Sequence, residues 1–300
     1  MRMTRRSLMS NLGQGLGLGS ALGAVGAVLA GCNTLSLFNS VTPKDAGTQK
    51  IATNIAFGPG PRQTYDLYAP IRIAPTTSLP VLAFFYGGGW NSGAKEDYAW
   101  MGRSLAALGY LVAIADYRLV PEVTYPSFLE DNAAAIRHLL GQARTYGGDP
   151  DRLATAGHSA GAYAAVMMAL DSRYLGIDAA GRSPVTACVG ISGPYDFYPF
   201  DVPESRNAFG TALRPEETQP VTYARKTNTS FLLMQSRADK IVGLKNAVSL
   251  SNRLKGAGSD VTLKLYDGLS HQDMAAAFSL PFRGKAPLRA DMATFLAAKL

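Results

Sequence analysis

Runs of apolar residues punctuated by Gly and Pro divide most of the chain into alternating strands and helices. Ile51–Phe57 and Gln63–Tyr68, split by Gly58-Pro59-Gly60-Pro61, read as an antiparallel pair. Leu79–Tyr86 is almost continuously apolar, as a strand buried on both faces would be. Asp97–Leu108 has helical spacing, Leu111–Ala115 is a strand, and Phe128–Tyr146 is a helix closed by the turn Gly147-Gly148-Asp149-Pro150. Then come a strand at Leu153–Gly157, a helix at Ala160–Leu170 and a strand at Val185–Ile191. Residues 193–226 lack a period. The remainder reads as strand Phe231–Gln235, helix Leu244–Gly256, strand Thr262–Tyr266 and helix Leu288–Lys299. Strands alternating with helices predict the α/β class: a mostly parallel central sheet with helices on both faces and a short insertion rather than a large cap.

The first residues follow a different pattern. Met1–Ser7 is basic, Leu12–Ala30 is apolar with six glycines, and Leu29-Ala30-Gly31-Cys32 ends the stretch on small residues. That order predicts a signal peptide over 1–31, and the glycines argue against a permanent membrane span. Thr4-Arg5-Arg6-Ser7-Leu8-Met9 resembles a twin-arginine export signal, and Leu29–Cys32 resembles a bacterial lipobox. The resemblance implies an exported protein held to a membrane by acyl chains on Cys32. Residues 32–49 are then expected to be a flexible tether, and 50–300 the globular domain.

Composition narrows the field. Of 300 residues, 47 % are hydrophobic and 17 % charged, which excludes a disordered chain or a coiled coil. The net charge of +7 is not a nucleic-acid signature, because Arg2, Arg5 and Arg6 carry three of those charges and no basic run follows. Two cysteines exclude a disulfide scaffold and a Cys-rich zinc site. Cys188, inside an apolar strand, is expected to be a buried structural thiol.

Gly157-His158-Ser159-Ala160-Gly161 matches G-x-S-x-G, and its place between a strand and a helix is what a nucleophile elbow requires. There Ser159 projects above the carboxyl end of the sheet, and the N–H of Ala160 opens a helix towards a developing oxyanion. Tyr86-Gly87-Gly88-Gly89-Trp90 ends an earlier strand, and its glycines allow backbone N–H groups to approach a ligand. In chains built on such an elbow, the acid and then the histidine follow the serine. Of His138, His158 and His271, only His271 lies beyond the serine and its turn. Asp239, after the strand Phe231–Gln235, is the expected acid. Asp267 competes, but it shares a loop with the histidine.

Together these motifs resemble the α/β-hydrolase superfamily, nearest to bacterial carboxylesterases of the hormone-sensitive-lipase and feruloyl-esterase-like kind. Asp116-Tyr117-Arg118-Leu119, Tyr125-Pro126 and Tyr146–Asp151 add to the likeness and are read as structural. The resemblance implies a serine esterase with the triad Ser159, Asp239 and His271, oxyanion donors at the N–H groups of Gly88, Gly89 and Ala160, and a small to medium ester as substrate. It implies no metal and no organic cofactor. Trp90, Tyr86 and the aromatics of 193–226 are expected to line the substrate pocket. Many relatives carry His-Gly-Gly-Gly where this chain has Tyr86-Gly87-Gly88-Gly89, so the bonds that hold this loop must differ. Two other readings use the same residues: an arylformamidase cleaving an N-formyl amide, and a non-catalytic, membrane-tethered binding domain.

Overall fold

The computed structural model describes residues 32–71, 78–178, 180 and 182–300. Its sheet has eight strands: β1 (Thr48–Ala56), β2 (Thr64–Pro70), β3 (Leu79–Phe85), β4 (Leu111–Ala115), β5 (Gly148–His158), β6 (Val185–Ile191), β7 (Ser230–Ser236) and β8 (Val261–Tyr266). The spatial order is β1-β2-β4-β3-β5-β6-β7-β8. β1 and β2 pair antiparallel, as does β2 with β4, and every later pairing is parallel. The helices are α1 (Cys32–Val41), α2 (Ala99–Ala106), α3 (Ser127–Gln142), α4 (Ala160–Leu170), α5 (Ser172–Leu175), α6 (Pro203–Phe209), α7 (Lys245–Gly256), α8 (His271–Ala276) and α9 (Leu288–Ala297). Because the last six strands run the same way, the loops after β3, β5, β7 and β8 all leave one edge of the sheet. In open parallel sheets that edge is where ligands bind.

Every residue of α4 is buried, which suits a helix apolar on all sides packed across β3, β5 and β6. α3 covers α4, while α2 lies across β1, β2 and β4 and is bonded to α9 through Arg289 and the carbonyl of Ser104, 3.1 Å apart. Cys188 is fully buried in β6, and burial pushes its thiol up to about 12, so it stays unreactive.

The structure departs from the sequence pattern in several places, among them short helices α5 and α8, the latter opened by His271 where a loop was expected. The turn after α3 is shorter than expected: Gly147 alone takes the left-handed conformation, and β5 starts at Gly148 because Gly148 and Asp149 pair with Leu79 and Pro80. The aperiodic stretch 193–226 contains α6 and two short 3₁₀ turns. A further difference is the tether. Residues 35–49 are folded against the domain, not loose. Phe38 meets the rings of Trp100 and Phe282 at 5.3 and 6.0 Å, and Asn39 Nδ2 donates to the carbonyl of Glu96 at 2.9 Å. Asp45 receives Arg283 Nη2 at 2.9 Å on both carboxylate oxygens, and Thr48 already belongs to β1. The i, i+3 apolar pair Leu35 and Phe38 gives the segment a buried side. The expected signal peptide over 1–31 lies outside the described residues. No helix among those described is long and apolar enough to cross a membrane.

The packing of this segment has a measurable consequence. A protein beginning at residue 50 should be less stable than one beginning at residue 32 by about 3 kcal/mol, a melting temperature lower by on the order of 10 °C. Calorimetry of the two proteins checks it, and equal melting temperatures would restore the tether.

Candidate active site

The elbow is shaped by backbone crowding. A Cβ on Gly157 would lie 2.2 Å from the carbonyl oxygen of Gly161, and one on Gly161 would lie 2.0 Å from that of Phe85. No side chain fits at either position, which is the physical content of the G-x-S-x-G pattern. Between them Ser159 adopts φ 56°, ψ −125°, a conformation that costs a non-glycine residue roughly 1–3 kcal/mol and is sustained by its surroundings. Its N–H donates to the carbonyl of Ile191 at 2.9 Å, and its carbonyl accepts from Ala162 and Tyr163 as α4 begins. The N–H of Ala160 is a first-turn donor without an acceptor inside the helix.

The loop after β3 passes directly over this serine. A Cβ on Gly87 would lie 3.0 Å from Ser159 Cβ. Gly88 has φ 142°, and its Cβ position is filled by the carbonyl of Ser92, 2.2 Å away, so only glycine is accommodated. The turn is closed by Asn91 and Ser92, whose N–H groups donate to the carbonyl of Gly88. The glycine at 89 is covered by the stem of Glu204 from α6.

His271 opens α8, whose first turn is fixed by a capping box between Ser270 and Asp273. Its Nδ1 lies 2.8 Å from Asp239 Oδ2, and both side chains are buried. The carboxylate of Asp239 is itself oriented. Oδ1 accepts from the N–H groups of Ile241 and Val242 at 2.9 and 3.0 Å, and Oδ2 accepts from Gln235 Nε2 at 3.2 Å. Burial alone would raise this carboxyl, but the bond and charge of His271 together with the two backbone donors outweigh it and hold it down to about 2. Ser236 Oγ donates to the carbonyl of Leu269 at 2.7 Å, joining the acid's strand to the histidine's loop. Asp267 is highly exposed and pairs with Arg237 at 3.1 Å, away from the imidazole. His138 is engaged by Tyr65 at 3.0 Å. The structure therefore brings Asp239 and His271 into contact.

His158, the residue before Ser159, turns towards His271: its Nε2 lies 3.0 Å from the carbonyl of His271, and the two rings are 4.6 Å apart. Burial, and then the nearby His271, lower its pKa to about 3, so the ring is neutral and its Nε2–H donates. Nothing in the sequence beyond adjacency to Ser159 signals this contact.

Two expected pocket residues prove to be packing residues. Tyr86 is fully buried, stacked between Tyr98 and Tyr117 at 5.3 and 5.2 Å, because its hydroxyl reaches a buried carboxylate below the loop. Trp90 is only 6 % exposed. It packs among Phe128, Tyr163, Phe197 and Phe209 with centroids 4.8–6.5 Å away, locking the insertion to the glycine loop. Among the described residues no group of three or more His, Cys, Asp or Glu side chains could hold a metal ion.

With this geometry in view, comparison with known proteins is informative. Residues 65–254, more than half of the chain, match the BD-FAE family. The chain belongs to that family. A probable isoprenylcysteine alpha-carbonyl methylesterase of Oryza sativa subsp. japonica is 30 % identical over 254 residues, covering 76 % of this chain and 58 % of its own length. The esterase LipC of Mycobacterium tuberculosis is 28 % identical over 220 residues, covering 67 % of this chain and 54 % of its own. This BD-FAE chain thus spans somewhat over half the length of these curated relatives. Among solved structures, esterase B from Lactobacillus rhamnosis superposes with a TM-score of 0.75 at 19 % identity, over 93 % of this chain and 94 % of that one. A truncated carbohydrate esterase from gut microbiota gives 0.71 at 19 % identity, over 86 % and 99 %. These likenesses establish the α/β-hydrolase fold.

The neutral His158 makes folding pH-dependent. Below pH 6.5 the unfolded imidazole binds a proton that the folded one refuses down to about pH 3, so stability falls with pH across that window. The slope is about 1.4 kcal/mol per pH unit. Between pH 6.5 and 5 the wild type should lose about 2 kcal/mol more than His158→Gln in urea titrations. Parallel losses would show that the ring titrates freely.

Proposed function

We propose that this protein is a carboxylesterase-type serine hydrolase that cleaves small to medium esters through an acyl-enzyme. The observation that carries the reading is the buried Asp239–His271 pair, 2.8 Å apart, on the same sheet edge as the strained elbow of Ser159. The BD-FAE match and relatives named as esterases support the same chemistry.

In this reading Ser159 Oγ attacks the ester carbonyl as His271 Nε2 takes its proton. Asp239 fixes the imidazole tautomer with Nδ1–H directed at itself and stabilises the cation. The N–H groups of Gly88, Gly89 and Ala160 receive the negative charge on the carbonyl oxygen. The C–O bond to the alcohol breaks, and the imidazolium returns its proton to the leaving alkoxide. Water, deprotonated by His271, then attacks the acyl-serine and releases the acid and free Ser159. Among the described residues the insertion, pinned down by Trp90, is short and forms no large cap, which fits a substrate of modest size. Export with a lipid on Cys32, possible only for a chain processed as its leader suggests, places the enzyme outside the cytoplasm on a membrane.

Ser159→Ala should lower kcat by about 10⁶, and His271→Ala by a similar factor, with the double variant little worse than either. Asp239→Asn should cost about 10⁴ through the wrong tautomer, against about tenfold for Asp267→Asn. Rates on p-nitrophenyl esters and on N-formylkynurenine, with folding checked by circular dichroism, decide the matter. Faster turnover of the amide would make the protein an arylformamidase, and no labelling of Ser159 by a fluorophosphonate would make it a binding domain.

The anchor has its own test. Wild-type protein expressed in a bacterial host should incorporate a palmitate analogue and sediment with membranes, and Cys32→Ala should do neither. Persistence of the uncut precursor in the wild type would refute lipidation.

A further inference from the structure

Tyr86 lies over a buried set of charges that the reaction does not use. Asp116 sits in the segment just beyond β4, with its carboxylate almost wholly enclosed. Its Oδ1 accepts from Tyr86 Oη at 2.7 Å and from the N–H of Lys95 at 2.8 Å. These donors stand at the two ends of the loop that carries Gly87, Gly88 and Gly89. Arg62, from the turn between β1 and β2, ties the same loop a third time. Its Nη2 donates to Tyr86 Oη at 2.8 Å and to the carbonyl of Gly93 at 2.7 Å, while Nε donates to the carbonyl of Tyr117 at 2.8 Å. The hydroxyl of Tyr86 thus gives its hydrogen to Asp116 and accepts one from Arg62. Lys95, 1 % exposed, bonds Asn54 Oδ1 at 2.7 Å and lies 3.5 Å from Asp66.

We propose that Asp116 is a positioning residue for the glycine loop, setting its N–H groups through Tyr86 and Lys95, with Arg62 as the opposing charge. The inference rests on the serine-esterase reading above. Energetics favour it over a purely stabilising role. Buried ion pairs seldom stabilise a fold more than well-packed apolar side chains of the same volume, because desolvation cancels most of the attraction. What they supply is one fixed arrangement, as donors aimed at a developing oxyanion require. Here a single oxygen atom fixes both ends of the loop, so the hole cannot open at one side without breaking a charge-assisted bond. Tyrosine suits this chain because the acceptor lies deep: its ring slots between Tyr98 and Tyr117 and carries the donor down to the carboxylate.

The test is Tyr86→Phe, which keeps the stacked ring and removes the bridge. Rates are expressed per active site titrated with a fluorophosphonate, so a partly misfolded preparation does not distort them. On p-nitrophenyl butyrate, kcat should fall by about 10–100-fold with KM within about threefold, because the oxyanion exists only near the transition state. Affinity for a trifluoromethyl ketone, whose adduct carries an oxyanion, should fall by the same factor as kcat. Tyr86→His, which restores a donor, should recover part of both. A lower melting temperature with unchanged kcat and ketone affinity would overturn the proposal and leave a structural bridge, and a change confined to KM would overturn it too. If Ser159→Ala keeps full activity, the esterase reading fails and this inference falls with it. If Ser159→Ala is inactive and Tyr86→Phe is normal, only the positioning role fails.

Discussion

The site depends on how closely three backbones approach one another at the elbow. The end of β5, the first turn of α4 and the end of β3 meet so tightly that a Cβ at Gly157 or Gly161 would penetrate a carbonyl group. That crowding forces Ser159 into its positive-φ conformation, and Gly87 lies so near that a Cβ on it would stand 3.0 Å from the serine's Cβ. Substituting either glycine therefore does more than remove a turn residue. It pushes α4 away from β3, and the glycine loop loses its position over Ser159. The cost of the strained serine is borne by the parallel strands on either side, bonded to β5 from Leu153 to His158.

The remaining parts are held by side chains reaching between loops. The loops at this edge of the sheet are tied to neighbours that are distant in sequence. Ser236 bonds Leu269, Asp239 bonds His271, His158 bonds the carbonyl of His271, and Asp116 bonds both ends of the glycine loop. Such cross-links matter because loops at a sheet edge have few apolar contacts of their own. The sheet supplies the common direction, and the polar ties supply the remaining precision. Trp90 adds an apolar tie of the same kind, holding α6 and the rest of the insertion down on the loop.

What could be read from the sequence divides along the same line. β4, α4 and β6 have the bounds their apolar runs suggest, because residues buried on all sides leave an uninterrupted pattern. The elbow was legible because its requirement is backbone crowding, which only glycine satisfies. Chain order singled out His271 and favoured Asp239, and the structure brings the two together. Tyr86 and Trp90 were misread for one reason: an aromatic residue beside a glycine loop looks like a pocket wall unless its burial is known. The early start of β5 was hidden because Gly-Asp-Pro signals a turn locally, and only pairing with Leu79 and Pro80 overrides it. The orientation of His158 and the bridge at Asp116 left no local signature, since both partners in each case come together only when the sheet is assembled.

The N-terminal segment bears on the same geometry. Asn39 and Phe38 of α1 contact Glu96 and Trp100, one and five residues beyond Lys95, the far end of the glycine loop. On its other side the segment holds Phe282 and Arg283, and Arg283 reaches the carbonyl of Phe278, two residues beyond the end of α8. One short stretch of chain therefore bridges the exit of the glycine loop and the segment that follows His271 and α8. A polar, small-residue stretch after a leader reads as a spacer because spacers share that composition. This one is not idle, since apolar Phe38, polar Asn39 and charged Asp45 all dock on the domain. Docked in this way, residues 35–49 cannot act as a random-coil spacer.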